Sequence, residues 1–191
     1  MRYINSLALL FAALAVSFAL PASAGVPRMV FGEDFTATWC TYCDVADCAL
    51  TNCDSIFAVS GPQFIHAETH GNFSPPDPFV TPETTARINR YGVTGYPTVQ
   101  IDGDIQDVGA MPTCSDKIGW YSPQITSELN ANGGTSPISI TGSFSVNGQV
   151  ATLKAKFKLL DAGNFTGYQA TLFILEDSIA CCTGIHNHTV S

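Results

Sequence analysis

Two patterns of apolar and polar residues divide the chain near residue 133. Before that point, short apolar runs typical of buried strands alternate with helical spacing, and after it apolar and polar residues alternate as in half-buried strands. The elements predicted for the first part are a strand over 28–35, a helix over 40–59, a strand over 63–67, a helix over 82–91, strands over 98–101 and 104–108, and a helix over 115–130. This order, β-α-β-α-β-β-α, predicts an α/β fold with a central mixed sheet flanked by helices.

Capping and turn residues set several of these boundaries. Thr81-Pro82 is a favourable N-cap and first-turn pair, and Gly92 is a favourable helix stop. Asp102-Gly103 predicts a tight hairpin turn between two short strands. Pro123 is expected to kink or interrupt the last helix, because proline lacks the N–H that an internal helical position uses.

The second part of the chain reads as strands throughout. Apolar alternation predicts strands over 138–146, 150–160 and 168–175, and Asn147-Gly148 is a favoured hairpin turn. We therefore predict a smaller antiparallel β-sandwich-like module over 137–191. Three strands are few for an independent sandwich, so we expect this module to be incomplete or completed by something else.

The predicted organisation begins with a signal peptide over residues 1–24. Arg2 supplies a positive start, residues 7–20 form an uncharged apolar run, and Pro21-Ala22-Ser23-Ala24 offers small residues at the cleavage site. An uncleaved anchor is the alternative. We expect no stable membrane insertion after cleavage and a periplasmic or secreted mature protein. The mature chain then consists of a first domain over 25–132, a linker over 133–136 and the β-rich module.

Charge and cysteine content narrow the class of protein. The chain has 8 Lys and Arg against 16 Asp and Glu, and the acidic residues are scattered, which argues against nucleic-acid binding. Seven cysteines are many for an exported chain of this length, and the compartment permits disulfides. An odd number leaves at least one cysteine unpaired or paired to another molecule.

The segment Trp39-Cys40-Thr41-Tyr42-Cys43 lies where the first strand gives way to a helix. Unpaired N–H groups and the positive dipole end of a helix both favour a thiolate. Cys40 would be the more exposed, lower-pKa sulfur that attacks a disulfide, and Cys43 would resolve the mixed disulfide. The alternatives are a structural disulfide or half of a metal site.

These residues resemble the active-site strand of thioredoxin. In Asp34-Phe35-Thr36-Ala37-Thr38-Trp39-Cys40, an acid lies six residues before the first cysteine, and Gly92-Val93-Thr94-Gly95-Tyr96-Pro97-Thr98 resembles the segment that carries the thioredoxin cis-proline. The resemblance implies a cis Pro97 beside the CxxC motif, with the Tyr96 backbone pairing with a bound peptide and Trp39 covering the site.

Asp34 has two interpretations. A carboxyl buried beneath the CxxC motif would have a raised pKa and could relay a proton to and from Cys43. The alternative is an exposed acid beside Glu33 at the strand end. The spacing to Cys40 favours the first.

The whole mature chain also resembles a family of bacterial envelope proteins related to the twenty-eight-kilodalton outer membrane protein. The matching runs are the acid-Phe-Thr-x-Thr-Trp-Cys-x-Tyr-Cys segment, residues 91–98, residues 175–179 and His186-Asn187-His188. The family joins a thioredoxin-like domain to a β-rich C-terminal part. The resemblance implies the fold and the compartment, and it leaves the activity loosely defined.

The remaining cysteines allow several arrangements. Cys40, Cys43, Cys48 and Cys53 could together bind zinc or an iron–sulfur cluster, although the second pair has C-x4-C spacing. A second disulfide that involves Cys48 or Cys53 is favoured over a metal site. Positions i and i+5 on a helix are poorly placed to bridge, so either Cys48 or Cys53 could prefer Cys114. The pairing of the adjacent Cys181 and Cys182 stays open.

The leading functional hypothesis is an exported thiol–disulfide oxidoreductase that uses no cofactor and no metal. It would act on protein thiols and disulfides, together with a redox partner protein. The assigned roles are catalytic for Cys40, Cys43 and Asp34, and substrate-binding for Trp39, Tyr96 and Pro97. The alternative is a non-catalytic envelope or adhesion module with a structural 40–43 disulfide, since a fold alone does not define a function.

Overall fold

The computed structural model describes residues 25–73, 75, 77–160, 169–181 and 184–189, and for residues 176–189 only the backbone is considered. The predicted signal peptide over 1–24 therefore lies outside the described residues, as do Cys182 and the side chains of Cys181, His186 and His188. No helix in the described part of the chain is both long enough and apolar enough to cross a membrane.

The structure contains three α-helices and ten strands in its described part. The helices are α1 (Cys43–Ile56), α2 (Pro82–Tyr91) and α3 (Cys114–Asn130), followed by a 3₁₀ segment over Ala131–Gly134. The strands are β1 (Val26–Pro27), β2 (Val30–Thr36), β3 (Phe64–His70), β4 (Thr98–Ile101), β5 (Ile105–Val108), β6 (Thr135–Ser136), β7 (Ile138–Asn147), β8 (Val150–Leu159), β9 (Leu175–Cys181) and β10 (Gly184–Thr189).

A six-stranded mixed sheet organises the larger part of the fold. Its strand order is β5-β4-β2-β3-β10-β9. Strand β3 runs parallel to β2 and to β10, whereas β4 is antiparallel to β2 and to β5. The predicted α/β class with a mixed central sheet is confirmed.

Helices cover both faces of this sheet. Val30, Phe64 and Val99 pack with Leu50 of α1 and Tyr121 of α3 in the main core. On the other face Phe35 packs with Ile88 of α2 and with Val93. Side chains alternate along a strand, so Asp34 lies on the same face of β2 as Val30, beneath α1.

Local signals explain where α2 begins and ends. Thr81 and Thr84 form a capping box, Pro82 occupies the first turn, and Gly92 adopts a left-handed conformation with φ of 61°. The prediction of a helix over 82–91 is confirmed. Helix α3 differs from expectation, because it continues through Pro123. The fully buried Tyr121 and Ile125 on either side of the proline fix both halves in the core.

The chain after residue 136 is divided between two compact units. One contains Pro137–Ala162, and the other contains Pro27–Ser136 and Gly163–Ser191. The first holds the β7–β8 hairpin, a separate small antiparallel sheet with Asn147 opposite Val150. The β-rich module predicted over 137–191 is therefore not a single unit in the structure. Strands β9 and β10 belong to the second unit, where they extend the central sheet beside β3.

The strand predicted over 168–175 is wrong for its described residues, since 169–174 are not a strand and β9 begins at Leu175. The physical reason is the packing of Phe173. Its ring lies 5.0 Å from that of Phe31 and 5.1 Å from the Arg87 guanidinium. Phe173 therefore contacts β2 and α2 of the same unit through its side chain.

Candidate active site

The Cys40–Cys43 pair forms a disulfide where β2 leads into α1. The two Cα atoms are 5.4 Å apart. Cys40 is 9% exposed and Cys43, the first residue of α1, is 4% exposed. The Cys40 N–H donates to the Ala37 carbonyl at 2.9 Å, and the Cys43 N–H donates to the Cys40 carbonyl at 3.1 Å. The disulfide is thus held in a tight turn just below the surface, with Cys40 the more accessible half.

The start of α1 provides a favourable electrostatic setting for a thiolate. The N-cap residue is Tyr42, and within the described part of the chain no side chain caps this end of the helix. The positive end of the helix dipole points toward the disulfide. Reduction of the disulfide would place the Cys40 sulfur at this end.

Aromatic side chains surround the disulfide. Tyr96 packs against the cluster formed by Ala37, Cys40 and Cys43, and its ring lies 5.9 Å from that of Trp39. The Tyr96–Pro97 bond is cis, as predicted. Trp39 is 36% exposed. The structure therefore brings the predicted substrate-binding residues together beside the two cysteines.

Phe73 joins this aromatic group, although it belongs to no motif in the sequence. Its ring lies 4.6 Å from that of Tyr96, and it is 46% exposed. Tyr96 sits close to the backbone at Gly71, where an added Cβ would overlap the Tyr96 hydroxyl and the Ile88 side chain. A glycine following β3 is the sequence signal that could have indicated this close approach.

Asp34 is completely buried, so the interpretation as an exposed acid is wrong. Among the residues that the structure describes, neither of its carboxylate oxygens has a hydrogen-bond partner. Burial raises its pKa well above the usual value, and the negative charges of Glu68 and Asp47 raise it further, whereas Lys117 opposes the shift. Asp47 lies four residues after Cys43 on α1. Asp34 is therefore a fully buried carboxyl with a raised pKa beneath α1.

The other cysteines of the described region do not form a metal cluster with the CxxC motif. Cys48 is bonded to Cys114, with Cα atoms 5.8 Å apart, and Cys53 is a free, buried thiol. Burial raises the pKa of the Cys53 thiol, so it stays protonated. No group of three His, Cys, Asp or Glu side chains is placed to hold a metal ion in the described ranges.

The six-stranded mixed sheet, the flanking helices and the disulfide at the start of α1 define a thioredoxin-like fold. HBP35 of Porphyromonas gingivalis is similar to this chain, with a TM-score of 0.52 and 20% sequence identity over 71% of this chain and 44% of that one. A structural genomics protein from Agrobacterium tumefaciens gives a TM-score of 0.43 and 18% identity, over 63% of this chain and 53% of that one. This chain thus spans about half the length of each. No protein-family model and no curated protein sequence matches it.

Proposed function

We propose that the chain is an exported thiol–disulfide oxidoreductase that acts on protein disulfides through Cys40 and Cys43. The observation that carries the proposal is the arrangement of three features: a disulfide at the N-terminus of a helix, a half-exposed aromatic group beside it, and a buried, unpartnered Asp34 beneath that helix. A purely structural disulfide needs neither an electropositive helix end nor a destabilising acid.

In the proposed reaction the Cys40 thiolate attacks one sulfur of a substrate disulfide. The substrate S–S bond breaks, a mixed disulfide forms, and one substrate thiolate leaves and is protonated by solvent. Cys43 then gives up its proton and attacks the Cys40 sulfur, which releases the second substrate thiolate. The substrate gains two electrons and the 40–43 pair loses two. The reverse sequence oxidises a substrate dithiol.

Asp34 has the proposed role of proton carrier for Cys43. As a carboxylate it takes the thiol proton when the 40–43 disulfide closes, and as an acid it returns the proton when the disulfide opens. A carboxyl with an ordinary pKa would be a weak partner for a thiol, because efficient transfer requires a pKa near the working pH. The raised pKa of Asp34 supports this role.

Trp39, Tyr96 and Pro97 are the proposed substrate-binding residues, as predicted from the sequence. We further propose a periplasmic or secreted location and membership of the envelope family related to the twenty-eight-kilodalton outer membrane protein. The support is the leader pattern over 1–24 and the matching runs over 34–43, 91–98, 175–179 and 186–188. The two disulfides also fit an oxidising compartment. Partners would be protein thiols and a redox partner protein.

The alternative is a non-catalytic binding module with a structural 40–43 disulfide. The low exposure of Cys40, 9%, favours it. Reactivity separates the two functions, because a catalytic Cys40 must become accessible to a substrate sulfur.

The deciding experiment measures disulfide exchange between the reduced protein and a disulfide-containing peptide. We expect catalysed exchange in the wild type and none in Cys40→Ser. The matched control is the double variant Cys48→Ala/Cys114→Ala, which lacks the other disulfide and should keep the activity. An unchanged rate in Cys40→Ser would exclude the catalytic function.

A further inference from the structure

The residues just before Cys40 are held by the loop between β3 and α2. The backbone N–H of Thr38 donates to Asp77 Oδ2 at 2.5 Å. The indole Nε1–H of Trp39 donates to the Pro75 carbonyl at 2.9 Å. These two contacts join segments that are far apart in the sequence. The turn that carries Cys40 is therefore fixed by tertiary hydrogen bonds as well as by its own backbone.

The Asp77 carboxylate is the centre of this contact. Its side chain is fully buried. Besides Thr38, it accepts the Phe79 N–H at 2.9 Å, and its Oδ1 lies 3.1 Å from His70 Nδ1. Burial alone would raise the pKa of this carboxyl, but the bonds from His70, Thr38 and Phe79 outweigh it and lower the pKa to about 2. Asp77 is thus a fixed anion with several donors.

His70 connects this anion to the interior of the sheet. It is the last residue of β3, its side chain is 3% exposed, and its Nε2 lies 3.5 Å from Glu68 Oε2. Burial disfavours the imidazolium, but the hydrogen bond with Asp77 and the nearby Glu68 carboxylate outweigh it and raise the pKa of His70. Both ring nitrogens are donors in the protonated form. A protonated His70 can therefore direct one N–H toward Asp77 and the other toward Glu68.

The row of polar side chains formed by Asp77, His70 and Glu68 continues to Asp34 on β2. Glu68 of β3 is in register with Asp34 of β2, and paired residues of neighbouring strands point to the same face. Asp34, Glu68, His70 and Asp77 consequently follow one another from beneath α1 to the loop in front of Cys40.

We propose, on the basis of the exchange reaction proposed above, that Asp77 and His70 are positioning residues for attack by Cys40. His70 orients the Asp77 carboxylate, and the carboxylate holds the Thr38 backbone, so that Cys40 and the neighbouring Trp39 ring keep one orientation toward the incoming disulfide. Neither residue takes part in the sulfur chemistry. Their contribution is preorganisation, because a nucleophile held in the reactive geometry avoids the entropy cost of finding it.

The chain offers a matched control for this pair. His66 lies on the same strand and the same face as His70, and its Nδ1 lies 2.8 Å from Asp54 Oδ2. The His66 side chain is 1% exposed. Asp54 belongs to the last turns of α1, whereas Asp77 contacts the residues before Cys40. Loss of the His66–Asp54 pair disturbs a buried histidine–carboxylate contact without touching the CxxC turn.

The test measures the second-order rate constant for attack of the reduced full chain on oxidised glutathione. Five variants are compared with the wild type: Asp77→Ala, Asp77→Asn, His70→Asn, His70→Gln and His66→Asn. In His70→Asn the amide nitrogen takes the position of Nδ1 and keeps the donor to Asp77. In His70→Gln the amide nitrogen takes the position of Nε2, toward Glu68, and the donor to Asp77 is lost.

We expect Asp77→Ala and His70→Gln to react about tenfold more slowly, which corresponds to about 1.4 kcal/mol of activation free energy. His70→Asn and His66→Asn should react within about twofold of the wild type, a difference of about 0.4 kcal/mol. A merely structural role for His70 would slow its two variants equally. The hydrogen-bond readout is Trp39 fluorescence in a Trp120→Phe background, which should shift in Asp77→Ala and stay unchanged in His66→Asn.

The outcomes separate this inference from the proposed function. A wild-type protein that does not react with oxidised glutathione would overturn both. An active wild type with equal rates in His70→Asn and His70→Gln would overturn only the inference, and so would a wild-type rate in folded Asp77→Ala. If Asp77→Ala fails to fold, the two His70 variants decide, and equal rates in them would overturn the positioning role. Asp77→Asn does not decide, because its amide oxygen can still accept the Thr38 N–H.

Discussion

Replacement of Asp34 by asparagine should raise the stability of the oxidised protein and slow its disulfide exchange. The Asp34→Asn side chain keeps the shape of the carboxyl but cannot ionise. In the wild type, burial and the charge of Glu68 raise the Asp34 pKa. The folded state therefore binds this proton more tightly than the unfolded state does, and ionisation above the usual carboxyl range costs stability.

The expected size follows from the environment of the carboxyl. Asp34→Asn leaves an equally unpartnered polar group, so the gain comes from the charge alone. Once the pH exceeds both pKa values, each pKa unit by which folding raises the Asp34 pKa costs the wild type about 1.4 kcal/mol, and Asp34 is fully buried. The gain should be absent near pH 3, where Asp34 is protonated in both states. It should grow as the pH rises above 3.8, the reference value for this group. In a protein of this size each kcal/mol moves Tm by about 2–4 °C.

The assay combines thermal melts across this pH range with exchange rates at neutral pH. Acid–base assistance contributes about 10²- to 10⁴-fold to a rate, so we expect Asp34→Asn to slow exchange by about 100-fold. Glu33→Gln is the matched control on the same strand. Glu33 is also buried, but Arg87 Nε donates to its Oε1 at 2.9 Å, so loss of its charge should lower the stability instead of raising it.

Three results would contradict the expected role of Asp34. A lower Tm for Asp34→Asn at neutral pH would mean that the ionised carboxyl is stabilised in the fold. An unchanged exchange rate would remove Asp34 from the mechanism and leave the two cysteines alone. Equal effects of Asp34→Asn and Glu33→Gln would show that burial, and not the missing partner, determines the response.

Three further predictions concern the cysteines and the pH dependence. Cys43→Ser should accumulate mixed disulfides through Cys40, visible on non-reducing gels and absent when Cys40 is also replaced. Removal of the Cys48–Cys114 disulfide, which joins residues separated by 66 positions, should lower the free energy of unfolding by about 2–5 kcal/mol, as urea melts would show; an unchanged midpoint would contradict this. The raised pKa of His70 adds stability that is complete below 6.5, its reference pKa, and is lost as the pH rises through the folded-state pKa. His70→Gln should flatten this alkaline loss in denaturant melts between about pH 5 and 9, and an unchanged slope would contradict it.

Elements with local signals were predictable from the sequence. Helix α2 is bounded by Thr81-Pro82 and Gly92, and β4 begins directly after Tyr96-Pro97, so both have the predicted bounds. The poor geometry of an i, i+5 bridge within a helix also favours Cys114 as a partner, and the structure pairs it with Cys48. Neighbouring residues determine the bounds of these elements, and a simple distance limit restricts the disulfide pairing.

Features that depend on distant contacts were not predictable. The pairing of β10 with β3 brings His188 opposite Glu68 across the sheet, and no periodicity in the last residues indicates which strand they join. Asp77 acquires its role through Thr38, 39 residues away. Its sequence context, a proline-rich loop, predicts only a turn. The two cysteines and Asp34 were identifiable because their spacing lies within a single strand and turn.

The close approach at Gly71 couples two positions that are distant in the sequence. Any side chain at residue 71 would occupy the space of the Tyr96 hydroxyl. A larger residue at 71 therefore requires both a smaller residue at 96 and a shift of Ile88, whose side chain an added Cβ would also overlap. Among sequences that share this fold, we expect tyrosine at the position of residue 96 to occur together with glycine at the position of residue 71.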